Sequence, residues 1–270
     1  MRRNENAAQS CPFKTSGSNR RCTKVGGVCS LRLYEGTGEG TARTVSGNEG
    51  DLRTVCPNRF EENGTIYKTV GEQILGIRCP RVVREVGFLQ RPREASSGSS
   101  REDVGKIDNV LVDPERTDPM NWCALEIQAV YFSGATMTNL FRLIRDCPHE
   151  EIPFPDAIRR PDYRSSGPKR LMPQLQIKVP TLRRWGKKMA VVVDEAFFRN
   201  LGHMETVDDL SSCDIAWFVM KYEHRENGFE LVVGDIREQT LERAVKGLTG
   251  GLPVSLSEFE RKISEKLAIE

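Results

Sequence analysis

Three polar side chains lie where two predicted strands meet, and their types suit divalent-metal chemistry. Asp108 follows the first residue of an apolar segment, and Glu126 and Gln128 belong to residues 122–130, after a turn that contains two prolines. Residues two apart on a strand share a face, so Glu126 and Gln128 should point the same way. Hard cations such as magnesium prefer carboxylate oxygens, and a cation held beside a phosphodiester neutralises charge and activates water. The pattern therefore indicates a candidate site for metal-assisted hydrolysis.

Gln128 is the third polar residue of this candidate site, and it cannot do what a lysine would do there electrostatically. An amide has no positive charge, although its oxygen can ligate a metal and the group can orient a water molecule. The alternative is structural, because Glu126 and Gln128 could be the solvent-facing side of an ordinary amphipathic strand. A second acidic residue and lysine, Asp162 and Lys178 in Gln176-Ile177-Lys178, imitate the pattern. We rank that pair lower because no apolar strand precedes Asp162. The segment 148–180 carries many prolines and is predicted to be mostly loop.

Four cysteines lie in an N-terminal segment that is rich in Gly, Ser, Thr and Arg and poor in apolar periodicity. Four thiolates can surround one zinc or mononuclear iron tetrahedrally, and the metal would supply folding energy that the segment lacks. Cys79 competes with Cys56 for the fourth position, and four unrelated free thiols are the alternative. The predicted ligands are Cys11, Cys22, Cys29 and Cys56.

Positive charge is concentrated in residues 159–188, where ten Lys or Arg residues accompany a single acid, Asp162. Such a run favours contact with a phosphate backbone, although a solvated loop is the alternative. The predicted phosphate-backbone contacts are Arg164, Lys169, Arg170, Lys178, Arg183 and Arg184.

The composition is that of a polar-leaning globular protein. Of 270 residues, 38% are hydrophobic and 29% charged, with a net charge of +2. No apolar run approaches the roughly 20 residues needed to cross a bilayer, and the N-terminus lacks the apolar region of a signal peptide. A cytoplasmic location, with reduced cysteines, is therefore expected.

Apolar spacing predicts an α/β (α+β) fold in which a mixed sheet is flanked by helices. A cysteine module is expected at residues 1–60 and the main domain at 61–270. The predicted strands are 82–89, 107–112, 122–130, 189–193, 214–222 and 229–233, and the predicted helices are 65–75, 134–145, 238–248 and 255–268.

Several segments together resemble the NotI/EagI-type restriction endonucleases. Besides Asp108 and Glu126-Ile127-Gln128, they are the first three cysteines with their neighbours, Cys56-Pro57-Asn58-Arg59-Phe60, Gly71-Glu72-Gln73-Ile74-Leu75-Gly76 and residues 169–180. The resemblance covers most of the chain. It implies a PD-(D/E)xK nuclease core in its ExQ variant, so that a glutamine at position 128 is expected.

The resemblance implies a type II endonuclease that cuts double-stranded DNA at a GC-rich palindrome with magnesium. Asp108, Glu126 and Gln128 would form the active site, and Glu72 would be an additional acid. It also implies iron bound by the four cysteines, with zinc as the alternative, a homodimer, a prokaryotic cytoplasm and a partner DNA methyltransferase. The alternatives are a non-catalytic DNA-binding protein with a decayed nuclease fold, or a repair or RNA-directed nuclease.

Overall fold

The computed structural model describes residues 10–14, 21–22, 24, 27–38, 41–90, 103–132, 137–147, 160–226, 228–251 and 254–267. The predicted loop at 94–101 lies outside the described residues. So do the first residues of the predicted helix 134–145 and Arg159, the first residue of the basic run.

Twelve strands and seven helices are present in the described part of the chain. The strands are β1 (Ser30–Leu31), β2 (Tyr34–Gly38), β3 (Thr41–Thr44), β4 (Arg53–Thr54), β5 (Arg81–Gln90), β6 (Asp103–Thr117), β7 (Met120–Ile127), β8 (Tyr131–Phe132), β9 (Pro161–Asp162), β10 (Met189–Asp194), β11 (Ile215–Arg225) and β12 (Gly228–Gln239). The helices are α1 (Thr65–Val70), α2 (Met137–Asp146), α3 (Tyr163–Ser166), α4 (Met172–Arg184), α5 (Glu195–Arg199), α6 (Leu241–Thr249) and α7 (Leu256–Leu267). None of these helices combines the length and the apolar character needed to cross a membrane.

A six-stranded mixed sheet forms the centre of the molecule, with strand order β12-β11-β10-β7-β6-β5. Strand β10 runs parallel to both of its neighbours, and the other pairs are antiparallel. All six residues of β10 are buried, as expected for a parallel strand that is covered on both faces. The predicted mixed sheet flanked by helices is confirmed.

Two apolar layers cover the two faces of this sheet. On one face, Ile66 and Val70 of α1 pack in a cluster with Leu111 and Leu125. On the other face, α4 and α6 pack against β7, β10 and β11. Because side chains alternate along a strand, Ala124 and Glu126 face the α4 side and Leu125 the α1 side.

The prediction that residues 148–180 are mostly loop is wrong for its described part. Helix α3, a π-helical turn at Gly167–Leu171 and α4 follow one another directly from Tyr163 to Arg184. Pro180 lies inside α4, where a proline removes a helical N–H donor and would be expected to break the helix. The apolar stripe of Leu171, Leu175, Val179 and Leu182 is completely or almost completely buried. Burial of that stripe outweighs the helix-breaking tendency of the prolines.

The N-terminal segment is attached to the main sheet by hydrogen bonds. The Thr54 N–H donates to the Asp194 carboxylate at the end of β10, with a distance of 2.5 Å. The Tyr222 hydroxyl in β11 lies 2.7 Å from both Ser30 Oγ and Thr54 Oγ1. These contacts hold the paired strands β1 and β4 against the sheet.

Candidate active site

Asp108 and Glu126 meet across neighbouring strands on the α4 face of the sheet. The antiparallel register pairs Asn109 with Leu125, so the next position along each strand brings Asp108 opposite Glu126. Glu126 is 2% exposed, whereas the Asp108 side chain is 56% exposed. One carboxylate is therefore held inside the protein and the other faces solvent at its edge.

Lys178 of α4 joins these two carboxylates. Its Nζ atom donates to Glu126 Oε2 at 2.6 Å and lies 3.8 Å from Asp108 Oδ1. It also donates to Gln174 Oε1, one helical turn earlier, at 2.7 Å. Lys178 is only 5% exposed, so its ammonium group lies within the carboxylate cluster. It is not on the open surface where a contact with a phosphate backbone was expected.

Burial controls the protonation of Glu126. Loss of solvent raises the pKa of Glu126 to about 7, against the lowering effect of the Lys178 ammonium, while the nearby Asp108 carboxylate also raises it. A carboxyl that titrates near neutral pH beside a second acid and a lysine is typical of functional sites.

Gln128 lies immediately after β7 and continues its pairing with β10. Its main-chain N–H donates to the Val192 carbonyl at 2.9 Å, which keeps the side chain on the same face as Glu126. The side-chain amide is 7% exposed, and its nitrogen donates to the Ala129 carbonyl at 2.6 Å. This bond engages the donor end of the amide, so the oxygen is the end suited to a cation.

Glu72 is separate from this cluster. It lies in the π-helical turn Gly71–Leu75 that continues α1, which packs on the opposite face of the sheet. Its carboxylate pairs with Arg78 at 2.6 Å, and both side chains are exposed. The structure therefore brings Asp108 and Glu126 together, while strand alternation puts Gln128 on the same face of the sheet and Glu72 lies on α1's side of it.

Five of the six predicted phosphate-backbone contacts fall into two groups beside α4, and the sixth, Lys178, lies in the carboxylate cluster. Arg164, Lys169 and Arg170 are exposed at the N-terminal side of α4, and the Arg170 guanidinium stacks 3.8 Å above the Tyr131 ring. At the other end, Arg183 pairs with Asp214 at 2.5 Å and with Glu242 at 3.1 Å. Arg184 is exposed and donates to Thr181 Oγ1 at 3.2 Å.

Four cysteines interact near the start of the chain, namely Cys11, Cys22, Cys29 and Cys56. Cys29 shares a hydrogen bond with Cys56, which together with burial and the nearby Cys11 and Cys22 raises the pKa of Cys29 above its usual range. The same bond, main-chain N–H groups and the Lys24 ammonium lower the pKa of Cys56 to about 6. Cys11, Cys22 and Cys56 therefore lie near enough to Cys29 to affect its ionisation.

Neither cluster is a complete metal cage. Among the described residues, no three His, Cys, Asp or Glu side chains are grouped so as to hold a metal ion. Magnesium is commonly bound by one or two carboxylates, with water and substrate phosphates completing its coordination. Asp108 and Glu126 fit that donor set. The thiol chemistry of the cysteine cluster suits a softer metal.

Sequence reasoning missed the place of Lys178 in the cluster, although a signal was present. Leu171, Leu175, Val179 and Leu182 recur at helical spacing, which predicts a helix across the prolines. A buried stripe that includes Leu175 and Val179 turns the adjacent Lys178 toward the sheet. Of the lower-ranked acid–lysine pattern, only Lys178 joins the cluster, whereas Asp162 caps α3 by accepting hydrogen bonds from Ser165.

Comparison with known families assigns the chain to one class of enzyme. A family model described as restriction endonuclease NotI matches residues 1–232, most of the 270 residues. No curated protein matches the chain. The chain therefore belongs to the NotI restriction endonuclease family and is a type II restriction endonuclease, an enzyme that cleaves DNA at specific sites.

Proposed function

We propose that this endonuclease hydrolyses phosphodiester bonds with magnesium at Asp108 and Glu126. The observation that carries the proposal is the meeting of these two carboxylates across β6 and β7, one buried and one exposed. A phosphate could approach the exposed carboxylate, Asp108, while burial holds the Glu126 carboxylate in a defined position. Magnesium would supply charge neutralisation at the phosphate and a more acidic bound water.

The side chains of the site have separate tasks in this proposal. Asp108 and Glu126 would supply the oxygen ligands, and the Gln128 oxygen would be a third, uncharged ligand or would orient the water molecule. Glu126 must be ionised to act as a ligand, and burial raises its pKa to about 7. Occupation by a cation favours the ionised carboxylate, so binding of the metal and loss of this proton are coupled.

Recognition of DNA is assigned to the exposed cations at the N-terminal side of α4. The side chains of Arg164, Lys169 and Arg170 are exposed to solvent and would contact phosphates or guanine edges. A GC-rich palindrome suits arginine readers, because arginine pairs bidentately with guanine. A palindromic target also favours a two-fold homodimer that cuts both strands. Because the enzyme would also cut the DNA of its own host, we expect a partner methyltransferase that protects that DNA.

The cysteine cluster is proposed as a structural metal module. Cys11, Cys22, Cys29 and Cys56 would bind iron, with zinc as the alternative, and the low pKa of Cys56 supplies one thiolate readily. Residues 1–60 would then depend on the metal for part of their folding energy.

Cleavage of plasmid DNA tests the catalytic proposal. Wild-type protein should yield discrete fragments with magnesium and none with EDTA, and run-off sequencing of the ends should reveal a GC-rich palindrome. Glu126→Gln, which keeps the size of the side chain, should bind DNA in calcium but not cut in magnesium. Cutting by Glu126→Gln at the wild-type rate would refute the assignment of the site.

A further inference from the structure

We propose that Lys178 is a catalytic residue of this endonuclease, with its ammonium group contacting the attacking water or the scissile phosphate. The inference rests on the proposed function, because it needs Asp108 and Glu126 to be the cleavage site. Lys178 would thus provide from a helix the positive charge that Gln128 cannot provide from the strand. Gln174 would be a positioning residue that holds the ammonium group in place.

The position of Lys178 supports this role. Its ammonium lies 2.6 Å from the buried Glu126 carboxylate and 3.8 Å from the exposed Asp108 carboxylate. It therefore stands between the interior and the solvent-facing side of the pair, where a phosphate would arrive. The helix is held in register by Leu175 and Val179, which are buried on either side of Lys178 in the sequence.

The donor count of the ammonium group leaves one N–H for chemistry. A lysine has three N–H donors, and two of them serve Glu126 at 2.6 Å and Gln174 at 2.7 Å. The separation of 3.8 Å from Asp108 is too long for a hydrogen bond. Among the described contacts, the third donor is thus available to a water or a phosphate oxygen beside Asp108.

A purely structural ion pair is the competing explanation, and it makes a different prediction. If Lys178 only stabilises the fold, its loss should affect unfolding and not the rate of the cleavage step in folded, DNA-bound protein. If it contacts the reacting atoms, the cleavage rate should fall while DNA affinity is retained. Charged donors placed at a developing negative charge typically contribute about 100- to 1,000-fold in rate.

Single-turnover cleavage of a plasmid, with DNA affinity measured separately in calcium, distinguishes these cases. Lys178→Met should cut about 100-fold or more slowly than wild type, with DNA affinity within about threefold. The double variant Lys178→Met with Gln128→Lys moves the lysine to the strand. Its cleavage rate should be about tenfold or more above that of Lys178→Met alone. Lys221→Met, an exposed lysine on β11, is the matched control and should cut normally.

The outcomes separate this inference from the proposed function. If wild type cuts, Glu126→Gln does not, and Lys178→Met cuts within threefold of wild type, Lys178 is not catalytic although the site stands. If wild-type protein does not cut with magnesium, both proposals fall. If Lys178→Met does not fold, Gln174→Met decides. It keeps the ion pair and should cut about tenfold more slowly, and a wild-type rate would overturn the inference.

Discussion

Lys178 and Glu126 form a buried ion pair at 2.6 Å across 52 residues of sequence, and the pair joins α4 to β7. Removing one partner from a buried pair leaves an uncompensated charge and commonly costs about 3–5 kcal/mol. Glu126→Gln should show such a loss, because it strands the ammonium. Lys178→Met should lose less, because Glu126, with a pKa of about 7, can take up a proton.

Denaturant unfolding of the two single variants and the double variant tests this pair. The double variant should lose less free energy of unfolding than the sum of the single losses, because neither charge is then left alone. Additivity within about 0.5 kcal/mol would show that the two side chains are not coupled in solution.

The separation of Glu72 from the cluster predicts different results for two acids. Asp108→Asn should abolish magnesium-dependent cutting, because it removes a carboxylate from the site. Glu72→Gln should retain cutting within a few-fold, because its partner is Arg78 on the other side of the sheet. The measurement is the single-turnover rate on one plasmid. Equal losses in both variants would contradict the arrangement described.

The two ends of α4 should contribute differently to DNA affinity. Arg170→Ala should weaken binding and reduce the slope of log affinity against log salt by about one, because one phosphate contact is lost. Arg183→Ala should leave that slope unchanged, since Asp214 and Glu242 already engage its guanidinium. Titrations in calcium at several salt concentrations measure both slopes. A reduced slope for Arg183→Ala alone would reverse the assignment.

Asp162 should stabilise the α3–α4 helix in a pH-dependent way. Its carboxylate accepts hydrogen bonds from the Ser165 hydroxyl and main-chain N–H, which hold the pKa of Asp162 below its usual value. The stabilisation is therefore present above the unfolded-state pKa of about 4 and is lost as pH falls through the lower folded value. Asp162→Ala should cost about 1 kcal/mol at pH 7, and the difference should shrink in acid.

Urea unfolding of wild type and Asp162→Ala at pH 7 and at about pH 3 gives the comparison. Glu226→Ala, at an exposed position in the β11–β12 turn, is the control and should match wild type at both values. A difference for Asp162→Ala that grows in acid would have the wrong sign for a depressed carboxyl pKa.

The cysteine cluster predicts a bound metal that Cys56 helps to retain. Elemental analysis of wild type should give close to one iron or zinc per chain. Cys56→Ser should lose most of it and unfold at lower temperature, because the module's own core is small. Cys213→Ser, a buried cysteine far along the chain, should keep the metal content. Full metal content in Cys56→Ser would exclude that ligand.

The secondary structure of the sheet could be predicted from the sequence, whereas the prediction for the α4 region was wrong. Strands β7, β10 and β11 and the helix near 65–75 follow from apolar spacing, because each buries one face or both. Strand β5 and the helix near 255–268 also form where apolar spacing predicts them, although none of their residues is buried. Asp108, Glu126 and Gln128 were predicted together because the two-residue period of a strand and a short connection determine which side chains meet. In the α4 region the prolines predict a loop. The region is helical because burial of Leu175, Val179 and Leu182 outweighs the helix-breaking tendency of the prolines.

Local periodicity and composition are sufficient to predict the paired strands, the shared face of Glu126 and Gln128, and the concentration of thiols and of positive charge in separate segments. Three features of the structure could not be predicted in this way: Lys178 enters the carboxylate cluster, Glu72 lies on the opposite face, and Arg183 is held by Asp214 and Glu242. Each of these features depends on how α1, α4 and α6 pack on the sheet. Packing brings together residues that are far apart in the sequence, and local periodicity does not predict such contacts.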